Sequence, residues 1–161
     1  MQIRDAVEAD LPAIVAIYNT TIPGREATAD TAPVSVADRR PWFREHSAAH
    51  PLWVMEDEGV VVGWLSLQSF YGRPAYDATV EISLYVLENR RRQGIGRELL
   101  RHALEKAPAI GVTTLLAFAF GHNAPSLALF ESENFEPWGT LPGVALLDGA
   151  PRDLVILGRK T

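Results

Sequence analysis

The 161-residue sequence predicts a single α/β domain over residues 1–161, a mixed central sheet with helices on both faces in the order β-α-α-β-β-β-α-β-α-β-β. Three observations carry this. Apolar residues alternate with a period of two through the middle of the chain and recur at helical spacing on either side of it. Thr113 to Phe120 is an almost continuous apolar run, as expected of a strand buried on both faces. Between the alternating segment Thr79–Val86 and that run lies an amphipathic segment, so strand, helix and strand form a parallel βαβ unit.

Gln2 to Ala6 reads as a short edge-like strand, and Asp10 then caps a helix that places Leu11, Ile14, Val15 and Tyr18 on one face. A Pro/Gly-punctuated stretch, Pro23 to Pro33, precedes Ser35 and Asp38, whose spacing resembles a capping box. Pro41 falls inside the helix so opened, predicting either a kink or a helix that properly begins near Arg40. Leu52–Glu56 and Val60–Gln68 alternate as an antiparallel pair joined by Asp57-Glu58-Gly59. An aromatic loop, Phe70 to Asp77, leads into the strand Thr79–Val86. Gly94 to Ala107 is helical, with Ile95, Leu99, Leu100, Ala103 and Leu104 in one stripe and Pro108 and Gly111 closing it. After Thr113–Phe120, Asn123 caps a helix running through Ser132, and Pro137–Leu146 and Asp153–Gly158 are the last strands.

Composition narrows the function. Hydrophobic residues make up 47 % and charged residues 22 % of the chain, and no apolar run reaches the ~20 residues of a membrane helix. The first residues lack a signal core, so a cytoplasmic protein with no membrane partner is expected. The net charge of −5, with one dense basic cluster at Arg90–Arg92, argues against nucleic acid. Zero cysteines exclude disulfides, thiolate metal sites and a cysteine acyl-enzyme. His46 and His50 are four apart but have no third ligand, so no metal site is expected; His102 is expected exposed, and His122 in a structural hydrogen bond.

Arg90-Arg91-Arg92-Gln93-Gly94-Ile95-Gly96-Arg97 joins the strand to the helix. A helix N-terminus offers unpaired N–H groups and partial positive charge, so arginines and glycines there suit an anion such as a diphosphate. A solvated basic turn is the plain alternative. The turn is no P-loop, because Gly-Lys-Ser/Thr is missing, and no dinucleotide fingerprint, because Leu99 stands where the third glycine would be.

Arg91-x-x-Gly94-x-Gly96 does resemble the coenzyme A loop of the GCN5-related N-acetyltransferase (GNAT) superfamily, and Asn123-x-x-Ser126-x-x-Leu129-Phe130-x-x-x-x-Phe135 resembles a second element of it. The element order is similar over essentially the whole chain. Tyr71-Gly72-Arg73-Pro74-Ala75-Tyr76-Asp77, Thr79-Val80-Glu81-x-Ser83-x-Tyr85-Val86 and Leu141-Pro142-Gly143 are similar to the phosphinothricin and methionine sulfone/sulfoximine acetyltransferase branch.

The resemblance implies a GNAT fold and transfer of acetyl from acetyl-CoA to the amino group of a small amino-acid-like acceptor by direct attack. An amine or peptide N-acetyltransferase, or a non-catalytic acyl-CoA-binding protein, remains the alternative. Strand alternation puts Glu81, Ser83 and Tyr85 on one face, and a carboxylate there can deprotonate the attacking amine. The bland reading of Glu81 is a solvent-facing strand residue. By resemblance, backbone groups of Leu84, Tyr85 and Val86 receive the acetyl and pantetheine arm, and the loop Arg91, Arg92, Gln93, Gly94, Ile95, Gly96 and Arg97 receives the diphosphate. Asn123, Ser126 and Phe130 flank the pantetheine; Asn123 is equally readable as a plain cap. Tyr71, Arg73, Tyr76, Glu81 and Ser83 are the expected acceptor contacts, with Arg73 pairing a carboxylate or simply solvated. The sequence departs from the family at Phe130, where many members have a tyrosine, and at Asp148–Asp153, which lacks the branch's histidine. A homodimer is expected by resemblance.

Overall fold

The sheet forms where the alternation predicted it, in a computed structural model that describes residues 1–161. The elements are β1 (Gln2–Asp5), α1 (Leu11–Thr20), α2 (Val36–Arg44), β2 (Leu52–Asp57), β3 (Val60–Ser69), β4 (Thr79–Val86), α3 (Ile95–Lys106), β5 (Thr114–Phe120), α4 (Ala124–Ser132), β6 (Glu136–Leu147) and β7 (Ala150–Lys160). The expected order is the observed one, with short 3₁₀ turns added between elements. Seven strands lie in the order β1-β2-β3-β4-β5-β7-β6. Only β4 and β5, the pair joined through α3, run parallel; every other pairing is antiparallel. No helix is long and apolar enough to cross a membrane.

Helices cover both faces. Ile14, Ile17 and Tyr18 of α1 pack on Val54 and Trp64 of the sheet, with Trp42 and Phe43 of α2 against them. Ile95, Leu99, Leu100 and Ala103 of α3 cover Leu65, Leu67, Val80 and Ile82 on the opposite face. A β-bulge makes this division possible: Met55 pairs with Gly63 and Glu56 with Val61, so Val62 is the extra residue. The consecutive valines then face opposite cores, Val61 beside Trp64 and Val62 with Leu65. At Gly63 an added Cβ would stand 3.0 Å from Ile95 Cγ2, so α3 seats directly on the glycine. The β2–β3 turn is two residues, Glu58-Gly59, both at positive φ, because Asp57 belongs to β2; this handedness matches the twist of the strands.

Three local expectations are corrected. Asp10 stands before α1 but does not cap it, because its carboxylate is committed to the Val7 N–H and to Arg4, at 2.8 and 2.9 Å. Arg4 also binds Glu56, so the group ties β1, β2 and the start of α1 together. Second, α2 starts at Val36 rather than near Arg40, since Ser35 Oγ accepts the Asp38 N–H at 3.0 Å and the helix runs on through Pro41. Third, His102 is part-buried edge-on against Trp53, 4.9 Å between rings, and burial lowers its pKa.

Candidate active site

The parallel ladder between β4 and β5 ends at Ile82↔Ala117, four residues before β4 does. Beyond that point the two strands part. Leu87 N–H donates to Val62 O and Tyr85 stands opposite Trp64, so alternation turns the peptide groups of Leu84 and Val86 away from β3, into the gap. A cleft of about 710 Å³ occupies this gap and continues over the N-termini of α3 and α4.

Most of the expected cofactor residues meet here. Leu84, Tyr85, Val86, Arg91, Arg92, Gly94, Ile95, Gly96, Arg97, Asn123, Ser126 and Phe130 line the cleft. Gln93 does not; its Oε1 accepts from Arg90 Nε, and Arg90 in turn pairs with Asp57 at 2.6 Å. Thr20 at the end of α1, with Thr21, Pro23, Gly24, Glu26 and Ala27 after it, forms a wall that the sequence motifs did not indicate. This loop is held by His122, within 2.8 Å of Arg25 O, and by the Arg25–Asp148 ion pair, which bears out the structural role expected of His122.

The turn is shaped for an anion. Arg92 and Gly94 both have positive φ, 62° and 83°, which curls successive N–H groups toward one side. The first bond of α3 is Glu98 N–H to Gly94 O, leaving the N–H groups of Ile95, Gly96 and Arg97 without helical partners. The two glycines serve different ends. A Cβ on Gly94 would meet nothing within 4 Å, so glycine is there for its left-handed backbone. A Cβ on Gly96 would lie 3.3 Å from Leu129 Cδ2 and 3.7 Å from Leu84 and Val86, so this glycine sets how closely α3 packs on α4 and β4. Arg97 is anchored by Glu133, whose Oε1 also receives Arg101 Nε. Asn123 caps α4 through Oδ1, at 3.3 Å from Ser126 N, and its NH₂ is left without a protein partner in the wall of the cleft. Phe130 is buried edge-on against Phe135 and brings no ionisable proton to the place.

On the α1/α2 side of β4 lies a second, smaller cavity of about 150 Å³. Tyr18, Trp42, Trp64 and Tyr85 are its aromatic walls, and Arg39, Gln68 and Ser83 its polar groups. Tyr85 also lines the large cleft, so one side chain separates the two spaces. Burial pushes its phenol well above the ordinary tyrosine range. Glu81 stands on the same face, two residues before Ser83 and opposite Gln68 in the ladder. It is half-buried, its oxygens make no protein hydrogen bond yet still touch solvent, and burial raises its pKa above the usual carboxylate value.

Of the expected acceptor residues Ser83 lines the smaller cavity, Glu81 lies two residues before it on the strand without lining either space, and the others sit elsewhere in the single chain. Phe70, Tyr71 and Tyr76 pack against one another at 5.5 to 5.8 Å, with Tyr71 and Tyr76 largely exposed. Arg73 is exposed beside them, and none of Tyr71, Arg73 and Tyr76 lines either cavity. Arg39 was not singled out by its sequence context, one of two adjacent arginines in a polar helix; only its spacing of three from Trp42 hints that both face one way.

The model of the Acetyltransferase (GNAT) family matches residues 13–135. YwnH of Bacillus subtilis, provisionally named a phosphinothricin acetyltransferase, is 52 % identical to this chain and the match covers 99 % of both. An L-methionine sulfoximine/L-methionine sulfone acetyltransferase of Pseudomonas aeruginosa is 35 % identical over 96 % of this chain and 91 % of its own. The crystal structure of a GNAT superfamily phosphinothricin acetyltransferase from Sinorhizobium meliloti, in complex with acetyl-CoA, superimposes with a TM-score of 0.93 at 31 % identity, over 99 % of this chain and 87 % of the other.

Proposed function

This chain belongs to the GNAT acetyltransferase family, an acetyl-CoA-dependent group, and on that premise we propose that it acetylates the amino group of a small amino-acid-like acceptor of the phosphinothricin or methionine sulfone/sulfoximine type. Coenzyme A fits the large cleft on its chemistry: three unpaired N–H groups, positive-φ backbone and Arg91, Arg92 and Arg97 face one space. Acetyl-CoA supplies a thioester-activated acetyl group. The α3 turn holds a diphosphate, Asn123 offers its NH₂ to an amide carbonyl, and the peptide groups of Leu84 and Val86 orient and polarise the carbonyl presented between the strands.

Glu81 is the general base. The observation that carries this is a half-buried carboxylate with no ion-pair partner, on the strand whose Tyr85 separates the two cavities. An amine attacks only when neutral, and a carboxylate with a raised pKa takes its proton directly or through water. Because Phe130 cannot supply a proton, the departing thiolate is protonated by water or leaves as the anion.

The second reading is an enzyme for simple amines or peptides, which the exposed position of Arg73 favours, since Arg73 reaches neither cavity from its own chain. Thiol release from acetyl-CoA, measured against amino acids, their decarboxylated amines and short peptides, decides between them. Turnover confined to free amino acids supports the first reading, and turnover of amines or peptides alone overturns it. We also propose a homodimer through β6. It is an outer strand of the sheet and carries Trp138, Leu141, Val144 and Leu146 exposed, which suits burial against a second copy. Leu146→Lys shifting the mass measured by light scattering from two chains to one supports this, and a parent that is already monomeric overturns it.

A further inference from the structure

We propose that Arg39, held by Asp30 and Tyr18, receives the side-chain oxygens of the acceptor and selects an uncharged polar end group over an anionic one; this rests on the amino-acid reading above. Arg39 is the one charged residue in the lining of the smaller cavity. Its guanidinium stands 4.9 Å over the ring of Tyr18 and donates to Asp30 Oδ2 at 3.1 Å. The same Oδ2 accepts the Tyr18 hydroxyl, and the Asp30 N–H donates to Thr28 Oγ1. The guanidinium is therefore oriented from two sides, yet keeps N–H groups beyond the one spent on Asp30.

Size does not discriminate between the candidate acceptors. A cavity near 150 Å³ admits a molecule such as benzene, roughly six heavy atoms. The side chains of methionine sulfone and phosphinothricin have that size and the same shape, two methylenes, a central atom with two oxygens and a methyl group. They differ in charge, the sulfone neutral and the phosphinate anionic. Charge is what this cavity reads. Arg39 and Asp30 cancel, and Glu81, about 7 Å along the strand from Ser83, must be ionised to act as base. The net charge around the bound side chain is then negative. A sulfone or sulfoximine takes hydrogen bonds from Arg39 and Ser83 without adding charge, whereas a phosphinate sets a third negative charge beside Glu81 and Asp30.

The test compares kcat/KM for methionine sulfone and phosphinothricin at saturating acetyl-CoA. The parent enzyme is expected to favour the sulfone by ~10-fold or more. Asp30→Asn leaves Arg39 uncompensated and should move the ratio toward phosphinothricin by ~10-fold, with acetyl-CoA affinity by calorimetry unchanged. Arg39→Gln removes the cation, so phosphinothricin turnover should fall further than sulfone turnover and the preference for the sulfone should widen. Quenching of Trp42 and Trp64 fluorescence by methionine sulfone reads binding without turnover and should weaken in Arg39→Gln. A parent that uses phosphinothricin as well as the sulfone overturns the inference and leaves the amino-acid reading standing. So does a folded Asp30→Asn whose ratio is unmoved. A parent that acetylates simple amines but neither amino acid overturns both.

Discussion

Replacing Glu81 by glutamine keeps the volume and the strand geometry while removing the carboxylate proposed as the base. The loss can be bounded from the surroundings. Glu81 has no charged partner, and burial raises its pKa above the ordinary glutamate range, which makes its carboxylate a stronger base than a solvated one. General bases in that position contribute ~10²-fold to 10⁴-fold, so at least ~2.7 kcal/mol of barrier is expected to return. The pH dependence carries the signature. In the parent, kcat/KM rises with pH as Glu81 deprotonates, above the ordinary ~4.3 of a glutamate, and Glu81→Gln should lack that limb. The ratio of parent to variant should shrink again at high pH, where the acceptor amine is neutral without assistance.

Stability provides the control, and its sign is set by the same shift. A carboxyl whose pKa is raised by burial is destabilising when ionised, a cost that grows as pH rises from the unfolded value through the folded one and persists above it. Glu81→Gln removes that cost, so its Tm at pH 7 is expected to equal or exceed that of the parent. Steady-state thiol release across pH 5–10, beside thermal unfolding at pH 7, separates lost chemistry from lost fold. Full activity near neutrality with a strongly basic acceptor, or an acid limb that survives in the variant, refutes the assignment.

Arg92→Glu introduces a negative charge in the mouth of the cofactor cleft, so the Kd for acetyl-CoA by calorimetry should rise ~10-fold or more at low salt and less at high salt; an unchanged Kd removes the turn from the site. Arg73→Ala should raise KM for carboxylate-bearing acceptors ~10-fold more than for their decarboxylated amines, and equal effects on both would take Arg73 out of acceptor recognition. Gly158→Ala would place a Cβ 2.0 to 2.3 Å from ring atoms of Trp138, so the half-exposed indole must swing outward. A loss of about 1 to 3 kcal/mol is expected with a shift in tryptophan emission, and an unchanged Tm contradicts the packing described between β6 and β7.

What could be read from the sequence was what depends on local pattern. Alternation along Thr79–Val86 was enough to put Glu81, Ser83 and Tyr85 on one face and Val80, Ile82 and Leu84 on the other, and the structure sorts them that way. Capping chemistry placed the starts of α2 and α4, at Ser35 and Asn123. Patterns that a tertiary partner overrides were misread or invisible. Asp10 had the sequence context of a cap, but Arg4 offered its carboxylate a charge-assisted, two-pronged bond that a helix start cannot match. Three consecutive valines, Val60 to Val62, carry no mark of the bulge that sends two of them to opposite cores.

The same limit explains the candidate site. The glycine motif fell on a turn that lines the large cleft but suggested one reason for both glycines, whereas Gly94 answers to backbone handedness and Gly96 to the approach of Leu129. Arg39 is the deeper case. Nothing in Val36–Arg44 is fully buried, so by pattern the helix reads as a solvated connection. Its importance comes from α2 docking across β3, where Trp42 meets Trp64 at 5.4 Å and brings Arg39 over Tyr18. That juxtaposition joins residues from four elements, α1, α2, β3 and β4, separated by up to 67 positions from Tyr18 to Tyr85, and no periodicity within any one of them encodes it. On the proposed reading, the diphosphate-binding part of the donor site lies in one contiguous turn, while the acceptor side is assembled by packing. Specificity for the acceptor can thus change through α2 and the loop that precedes it, leaving the acetyl-CoA turn untouched.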